Sequence, residues 1–529
     1  MRLGIDFGTT RTVVAACDRG NYPVISFNAA GGEAQEFFPS LIAEKGGQLC
    51  FGFDAVARRG QAGWNICPSF KRWLSAPDAT LHRRVRVGSL EMDLISVVSR
   101  YLEALKRALL ESSNLPLAQV NPTLDATIAT PANAFSTQRL LTLEAFRSAG
   151  FNVVSMLNEP SAAGVEYAHR YRNTLNSRRE KVVVYDLGGG TFDVSVVDMQ
   201  GRAHDVVASR GLSRLGGDDF DDVLVRLALA QAGQTLDRLG TRASVELGQH
   251  CRELKEAINP NTRKIHVELG RCLTPGERKR LGISEGHVEV VAMDAFETAC
   301  TPLLERTLEL VHGTLGSNGM SADADAGELE ADSTREIAGL YVVGGASALP
   351  AVARCLRALY GRRVKRSPYP SAAIAIGLAI AADEQASYQV DQRFHHNLGV
   401  FREAQSGEEI GFDRIIGPET RVPAPGGEPI RLSRVYRAKH NVGHFRFIEC
   451  GWLDHSGHPS GDIKPFADVR FPFDPALRAH DDLSRVPVAR TGSDGPEIEE
   501  LYSISEYGAV ELTILDRTSG YERNYKIAG

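Results

Sequence analysis

The feature that most constrains this chain is a repeat within itself. Residues 3–14 read LGIDFGTTRTVV and residues 183–197 read VVYDLGGGTFDVSVV. Each is an apolar strand, an aspartate, a turn of Gly and Thr, and a second apolar strand. The order then continues in step. Residues 126–129 enter Thr130-Pro131, a helix, and Pro160-Ser161-Ala162-Ala163. Residues 340–343 enter Gly344-Gly345, a helix, and Pro370-Ser371-Ala372-Ala373. Two copies of this order predict two similar lobes about a pseudo-twofold axis, with the ligand cleft between them.

Strand-like apolar runs alternate with helical patterns up to about residue 384, which predicts an α/β domain over 1–384. Leu94, Val97, Val98, Tyr101, Leu102, Leu105 and Leu109 recur at i, i+3, i+4 spacing and predict one amphipathic helix; 294–315 and 348–360 read similarly. From about residue 397 the texture changes. Short alternating runs at 431–437, 445–452 and 510–515 are separated by Gly, Pro and Asp turns, which predicts a small antiparallel β-sandwich over 397–529. Residues 385–396 are polar and read as a linker, and 316–334, acidic and free of aromatics, as a loop.

Charge and cysteine usage narrow the partners. Lys and Arg total 60 against 66 Asp and Glu, a net charge of −6, so there is no electrostatic footprint for nucleic acid and no polybasic membrane patch. The longest apolar run, 372–382, falls far short of the ~20 residues that span a bilayer. Asp6 sits where a signal peptide needs an apolar core, and the eight cysteines form no CxxC pair. A cytoplasmic protein is expected.

A Gly/Thr turn between two strands exposes successive backbone N–H groups and hydroxyls, a concavity suited to phosphate oxygens. Two such turns, one per lobe, would grip a polyphosphate from both sides. Asp6 and Asp186 end their strands beside the turns, where a hydrated Mg²⁺ would bridge them to the phosphates. One turn alone would be an ordinary glycine hairpin with a capping aspartate; the matched pair favours phosphate. Neither turn is a P-loop, and no strand–GxGxxG–helix supports a dinucleotide site.

These motifs resemble the nucleotide-binding domain of the seventy-kilodalton heat-shock chaperone family (heat shock protein 70), within the actin-like, ribonuclease H-like ATPases. The residues that carry the likeness are GIDFGTT, DLGGGTFD, LGGDDFD at 215–221, NEPSAA at 158–163 and VVGGAS at 342–347. The resemblance implies ATP or ADP with Mg²⁺, with K⁺ as a further candidate ion, and slow ATP hydrolysis. It places Gly8, Thr9, Thr10 and Arg11 on one phosphate loop and Gly188, Gly189, Gly190 and Thr191 on the other. Gly216 and Gly217 would flank the nucleotide. Gly344, Gly345 and Ser347 would line the adenosine side, with Lys255 and Asn259 at the base. Lys71 aligns with the family's catalytic lysine; Glu159 would orient or deprotonate water, and Thr191 and Asp193 would complete the shell. Pro131 matches a proline implicated in switching.

Departures from the family fall around the base. Arg252 stands where a glutamate is usual, Asn259 for serine, Ala348 for a common arginine and Ser371 for an aspartate near the ribose. The sandwich resembles the family's substrate-binding domain more weakly, with Asn397-Leu398-Gly399 at its start. A domain without a helical lid is expected, and residues 383–396 contain no leucine, so the linker is expected not to dock on the ATPase. A metal reading of His440, His444, Cys450, His455 and His458 lacks a second paired motif, and these read as polar loop histidines. The reading is an ATP-hydrolysing chaperone-like protein that engages a protein or peptide client, with a co-chaperone as a candidate partner. Its rivals are a nucleotide-gated scaffold and a small-molecule kinase of the same fold.

Overall fold

β1 (Arg2–Phe7) and β2 (Arg11–Ala16) form the antiparallel hairpin of the first repeat. α1 (Leu94–Glu111) buries the whole predicted stripe from Leu94 to Leu109. β3 (Asp125–Thr130) lies parallel to β1, α2 (Ser136–Ser148) crosses over, and β4 (Asn152–Asn158) pairs parallel with β3 before α3 (Glu159–Arg170). The computed structural model describes residues 1–29, 32–80, 82–116, 123–176, 179–199, 203–212, 214–316, 336–386, 388–404, 409–424, 426–480, 482–491 and 495–526. The loop expected at 316–334 lies outside these, apart from Gly316.

The second lobe repeats the plan. β5 (Lys181–Leu187) and β6 (Phe192–Asp198) make the second hairpin, and β7 (Ala203–Leu212) extends it. α4 (Gly217–Gln231), α5 (Thr241–Glu256) and α6 (Met293–Gly316) follow. β8 (Ile337–Val343) is parallel to β5, and α7 (Pro350–Tyr360) leads to β9 (Val364–Arg366) and α8 (Ala373–Ala382). The strand orders are β4-β3-β1-β2 and β9-β8-β5-β6, the same sequence of pairings in each lobe. That identity is the pseudo-twofold relation the repeat predicts.

α3 and α8, the two helices that carry the PSAA segments, meet between the sheets. α8 is apolar on every side because nearly all of it is buried. Glycine permits the close approach: a Cβ on Gly377 would lie 1.9 Å from the Ala162 carbonyl oxygen, and one on Gly4 2.3 Å from that of Ala375. Among the described residues no helix is long and apolar enough to cross a membrane.

The expected linker 385–396 differs from its reading. β10 (Gln389–Asp391) adds in parallel to the start of β7, as the edge strand of the second lobe. Strand addition uses backbone N–H and C=O groups, so the missing leucines do not prevent it. Tyr388 and Val390 still supply apolar contacts against α8 and its neighbours.

β11 (Asn397–Ala404), β12 (Glu409–Ile416), β13 (Ile430–Arg437), β14 (Val442–Leu453), β15 (Pro459–Pro472), β16 (Glu497–Ile504), β17 (Val510–Asp516) and β18 (Tyr521–Lys526) build the sandwich. Its sheets run β12-β11-β14-β15 and β13-β16-β17-β18, all antiparallel. The strict alternation of buried and half-buried residues in β16 is the pattern of a strand with one face in the core.

The sandwich rests on the first lobe. Glu449 accepts hydrogen bonds from the Ser136 backbone N–H at 2.9 Å and the Ser136 hydroxyl at 3.2 Å. This places a carboxylate at the positive end of α2. His396 stacks on Phe135 with ring centroids 4.5 Å apart. The Tyr507 hydroxyl donates to the Val153 carbonyl at 3.0 Å.

Candidate functional site

The cleft between the lobes holds a cavity of about 270 Å³. Its floor is made by the strand ends that carry Asp6 and Asp186, and its sides by the two Gly/Thr turns. The turns face each other closely: a Cβ on Gly189 would come within 2.6 Å of the Thr10 hydroxyl oxygen. Gly8, Thr9, Thr10, Arg11, Gly188, Gly189 and Thr191 all line the cavity. Glycine is required at Gly189 because a side chain would collide with the facing turn, and at Gly8 because a Cβ would lie 2.3 Å from the Arg11 carbonyl oxygen of its own turn.

Gly190 and Gly216 stand behind this surface rather than on it. A Cβ on Gly216 would lie 2.6 Å from the Gly190 carbonyl carbon, so the two backbones buttress one another. The N–H of Gly217 donates to the Gly188 carbonyl at 2.9 Å and that of Asp218 to Gly189 at 2.7 Å, which ties the second turn to the start of α4. Gly217 itself reaches the cavity.

Lys71 lies in a short 3-10 turn, Phe70–Ser75. The turn is entered through Ser69 at φ +54, a left-handed conformation that costs about 1 kcal/mol or more outside glycine and persists where its surroundings enforce it. The Lys71 ammonium donates to Glu159 at 3.2 Å, and both side chains are about nine-tenths buried. Glu159 opens α3 directly after β4, with Pro160 next to it, so a strand end and a helix start fix its position.

Four carboxylates crowd this single ammonium. Burial, and next the charge of Glu159, push Asp6 up to about 7, with Lys71 opposing. Burial and Glu159 likewise push Asp193 up to about 7, against Lys71 and a hydrogen bond with Thr191. Asp186 is held well above the usual carboxylate range by burial and then by Glu159, Asp193 and Asp6. For Lys71, burial acts downward, and the surrounding carboxylates, Glu159 first, outweigh it and raise the pKa. The floor is short of positive charge. Asp193 does not line the cavity but lies one step behind it, beside Thr191.

The base side departs from the sequence reading. Lys255 lines the cavity, but its ammonium is held at 2.6 Å by Asp221 and at 2.6 Å by the Gly217 carbonyl. Arg252 also lines it, gripped by Asp218 at 2.6 Å and Asp221 at 3.1 Å. Its Nε and one terminal nitrogen are thus engaged by protein carboxylates. Gly344, at φ +85, and Gly345 line the opposite wall. Asn259 and Ser347 are absent from the lining. Asn259 accepts from the Asn261 N–H at 3.0 Å in a local turn, and the buried Ser347 hydroxyl donates to the Gly344 carbonyl at 2.6 Å. Both hydrogen-bond to nearby backbone.

Residues that motif matching missed also line the cleft: Val13, Glu256, Ile258, Leu349, Arg366 and Ile374. None belongs to a Gly-rich signature, and only the packed fold brings them to the site. Arg11 and Glu256 form an ion pair across the cleft, and the Arg11 guanidinium lies 4.3 Å from the Phe37 ring centroid. Arg72 donates to the Gly190 carbonyl at 2.8 Å. In the sandwich, His440 pairs with Glu403, His444 with Asp468 and His458 with Asp454. Among the described residues no cluster of three or more His, Cys, Asp or Glu can hold a bare metal ion.

Paired β-hairpin turns over an anionic floor, in two lobes of one strand order with an appended antiparallel sandwich, define a two-lobed protein of the actin-like fold class. The chain matches the family model described as "Hsp70 protein" over residues 96–392, more than half its length, and it belongs to the Hsp70 family. It is 31% identical over 395 residues to Chaperone protein HscA homolog of Burkholderia ambifaria, covering 72% of this chain and 58% of that protein. The like-named protein of Methylibium petroleiphilum is 30% identical over 398 residues, covering 73% and 58%. Chaperone protein HscA of Klebsiella pneumoniae is 29% identical over 545 aligned residues, covering all of this chain and 78% of that one. The chain thus spans 58% of the length of the first two relatives.

Proposed function

We propose that this chain binds ATP with Mg²⁺ in the cleft and hydrolyses it slowly to ADP and phosphate. Nucleotide state then sets the grip of the sandwich on a protein or peptide client. The observation that carries this reading is the near contact of the two Gly/Thr turns at Gly189 and Thr10 above the buried Lys71–Glu159 pair. The relatives' name, chaperone, favours it over the scaffold and kinase readings.

The donor set fits a hydrated divalent cation. Asp6 and Asp186 face the cavity beside one lysine, with pKa values raised by burial and then by the neighbouring carboxylate charges, and they would hold the ion through water. Bound there, Mg²⁺ supplies charge neutralisation on the phosphate oxygens. The N–H groups of Gly8 and Gly188 close their own turns on the Asp6 and Thr191 carbonyls, which leaves the cavity-lining Thr9, Thr10, Gly189 and Thr191 to orient the phosphates from both sides. Lys71 meets the charge that develops on the transferred group, and Glu159 accepts a proton from the attacking water or orients it. Thr191 holds that water's other side, and Asp193, one step behind, holds Thr191. Clients and co-chaperones would be met in the cytoplasm, without nucleic acid or membrane.

Single-turnover hydrolysis of labelled ATP tests the assignment. Lys71→Ala should slow hydrolysis by about 100- to 1,000-fold, because one cation meets the transition-state charge while many backbone donors hold the ground state. ATP affinity should change little. Hydrolysis within a few-fold of the unmutated chain would overturn the role given to Lys71.

A further inference from the structure

Two histidines flank the linker strand, and neither takes part in the cleft. His204 of β7 stands opposite Val390 of β10 and is 0% exposed. Neither of its ring nitrogens has a hydrogen-bond partner among the described residues, and its ring lies 5.4 Å from that of Tyr388. Such a ring is tolerated only when neutral, since a buried charge without a partner is costly. His395 follows β10. The Asn158 amide accepts from Arg139 through Oδ1 at 2.8 Å, which fixes its orientation, so its Nδ2 donates to His395 Nε2 at 3.2 Å. That nitrogen must carry no proton.

We propose that His204 and His395 make the docked linker a proton-operated latch, closed while both imidazoles are neutral and released as they take up protons. Departure of β10 and Tyr388 opens the sheet edge at His204 to water. The same departure frees His395 from Asn158. Protonation therefore favours the undocked chain at both positions.

The surroundings supply no compensating charge. On the elements packed against His204, Asp205 is paired with Arg393, and Glu166 with Arg170 and Tyr341. Asp198 lies on β6, His169 on α3 against Tyr22, and Asp391 on β10; α8 carries no titratable group. His395 faces Arg139 of α2 and its neighbour His396, which meets Glu449 of β14 at 3.4 Å. Burial alone lowers His204 to about 4. Burial, followed by the charges of His396 and Arg139, lowers His395 to about 4.

The sign follows from these directions. Both pKa values are depressed in the docked state, so docking is fully supported above the ordinary histidine value of about 6.5 and weakens as pH falls from there toward 4. At pH 5.5 each histidine reduces the docking equilibrium about tenfold and the two together about 100-fold, with almost no effect at pH 7.5. No nucleotide is needed for this, so the latch stands or falls apart from the ATPase reading.

Amide hydrogen exchange of the linker in the full chain, corrected for intrinsic rates, is the test. Protection across residues 388–394 should fall about 100-fold between pH 7.5 and pH 5.5. His204→Phe and His395→Gln should each leave about a tenfold dependence, and the double variant none, with protection at pH 7.5 unchanged. Histidine-resolved NMR of the unmutated chain gives a reading that needs no variant. Constant protection in the unmutated chain, a pH dependence that survives in the double variant, or release at pH 5.5 with both imidazoles still neutral would each overturn the proposal.

Discussion

Asp193 shows how the site stores a cost in the fold. Its carboxyl is raised from 3.8 to about 7, so the folded chain binds a proton there that the unfolded chain has released. The contribution is favourable below the ordinary value and is lost as pH rises through about 7. Asp193→Asn should therefore raise the thermal stability of the nucleotide-free chain at pH 8 and leave it nearly unchanged at pH 4. The gain should be on the order of 2 kcal/mol, below the ~4 that the full shift implies, because the side chain is partly exposed. Melting curves at the two pH values decide it; no gain at pH 8 contradicts the crowded-carboxylate account. Arg252 makes a second point at this scale. With its Nε and one terminal nitrogen held by Asp221 and Asp218, it meets the base chiefly through its flat face, and stacking distinguishes bases poorly. Calorimetric titration should find ATP and GTP affinities within about tenfold, or ~1.4 kcal/mol; a much larger ATP preference would contradict this.

The linker strand is the element on which sequence and structure part most clearly. Leucines are an apolar signal, and their absence from 383–396 reads as an undocked segment. Yet β10 pairs by backbone along β7, with Val390 and Tyr388 as its apolar contacts. Val390→Asp should loosen it and speed tryptic cleavage at Arg393 by about tenfold or more, given a buried-charge cost of at least ~1.4 kcal/mol. An unchanged cleavage rate would show that Val390 does not hold the strand. The hairpins, the α1 stripe and the sandwich strands were legible because each is written in local periodicity. The contact of Ser136 with Glu449 spans 313 residues and has no local signature. Gly8 and Gly189 are legible as turn residues of the cleft because the repeat marks both turns. Ser347 and Asn259 lie off the cavity lining, each hydrogen-bonded to nearby backbone, a local arrangement that residue type does not announce.

Across the whole molecule, the cleft and the sandwich are joined along one continuous path. Glu159 follows Asn158, Asn158 holds His395, and Arg139 links Asn158 at 2.8 Å with Gln392 at 3.3 Å. His396 and Glu449 carry the path into the sandwich. The leucine-free linker alone predicts weak coupling between nucleotide and client; with the strand docked along β7 and this path in place, we expect strong coupling instead. Coupling is reciprocal, so a client that ATP loosens must in turn weaken ATP binding. The central claim is that nucleotide in the cleft governs the grip of the sandwich. Stopped-flow release of a fluorescent apolar peptide from the full chain, run with ATP and with ADP, tests it most directly. Release should be about tenfold or more faster with ATP, which corresponds to a coupling of at least ~1.4 kcal/mol. Equal release rates in the two nucleotides, with hydrolysis intact, would contradict the account.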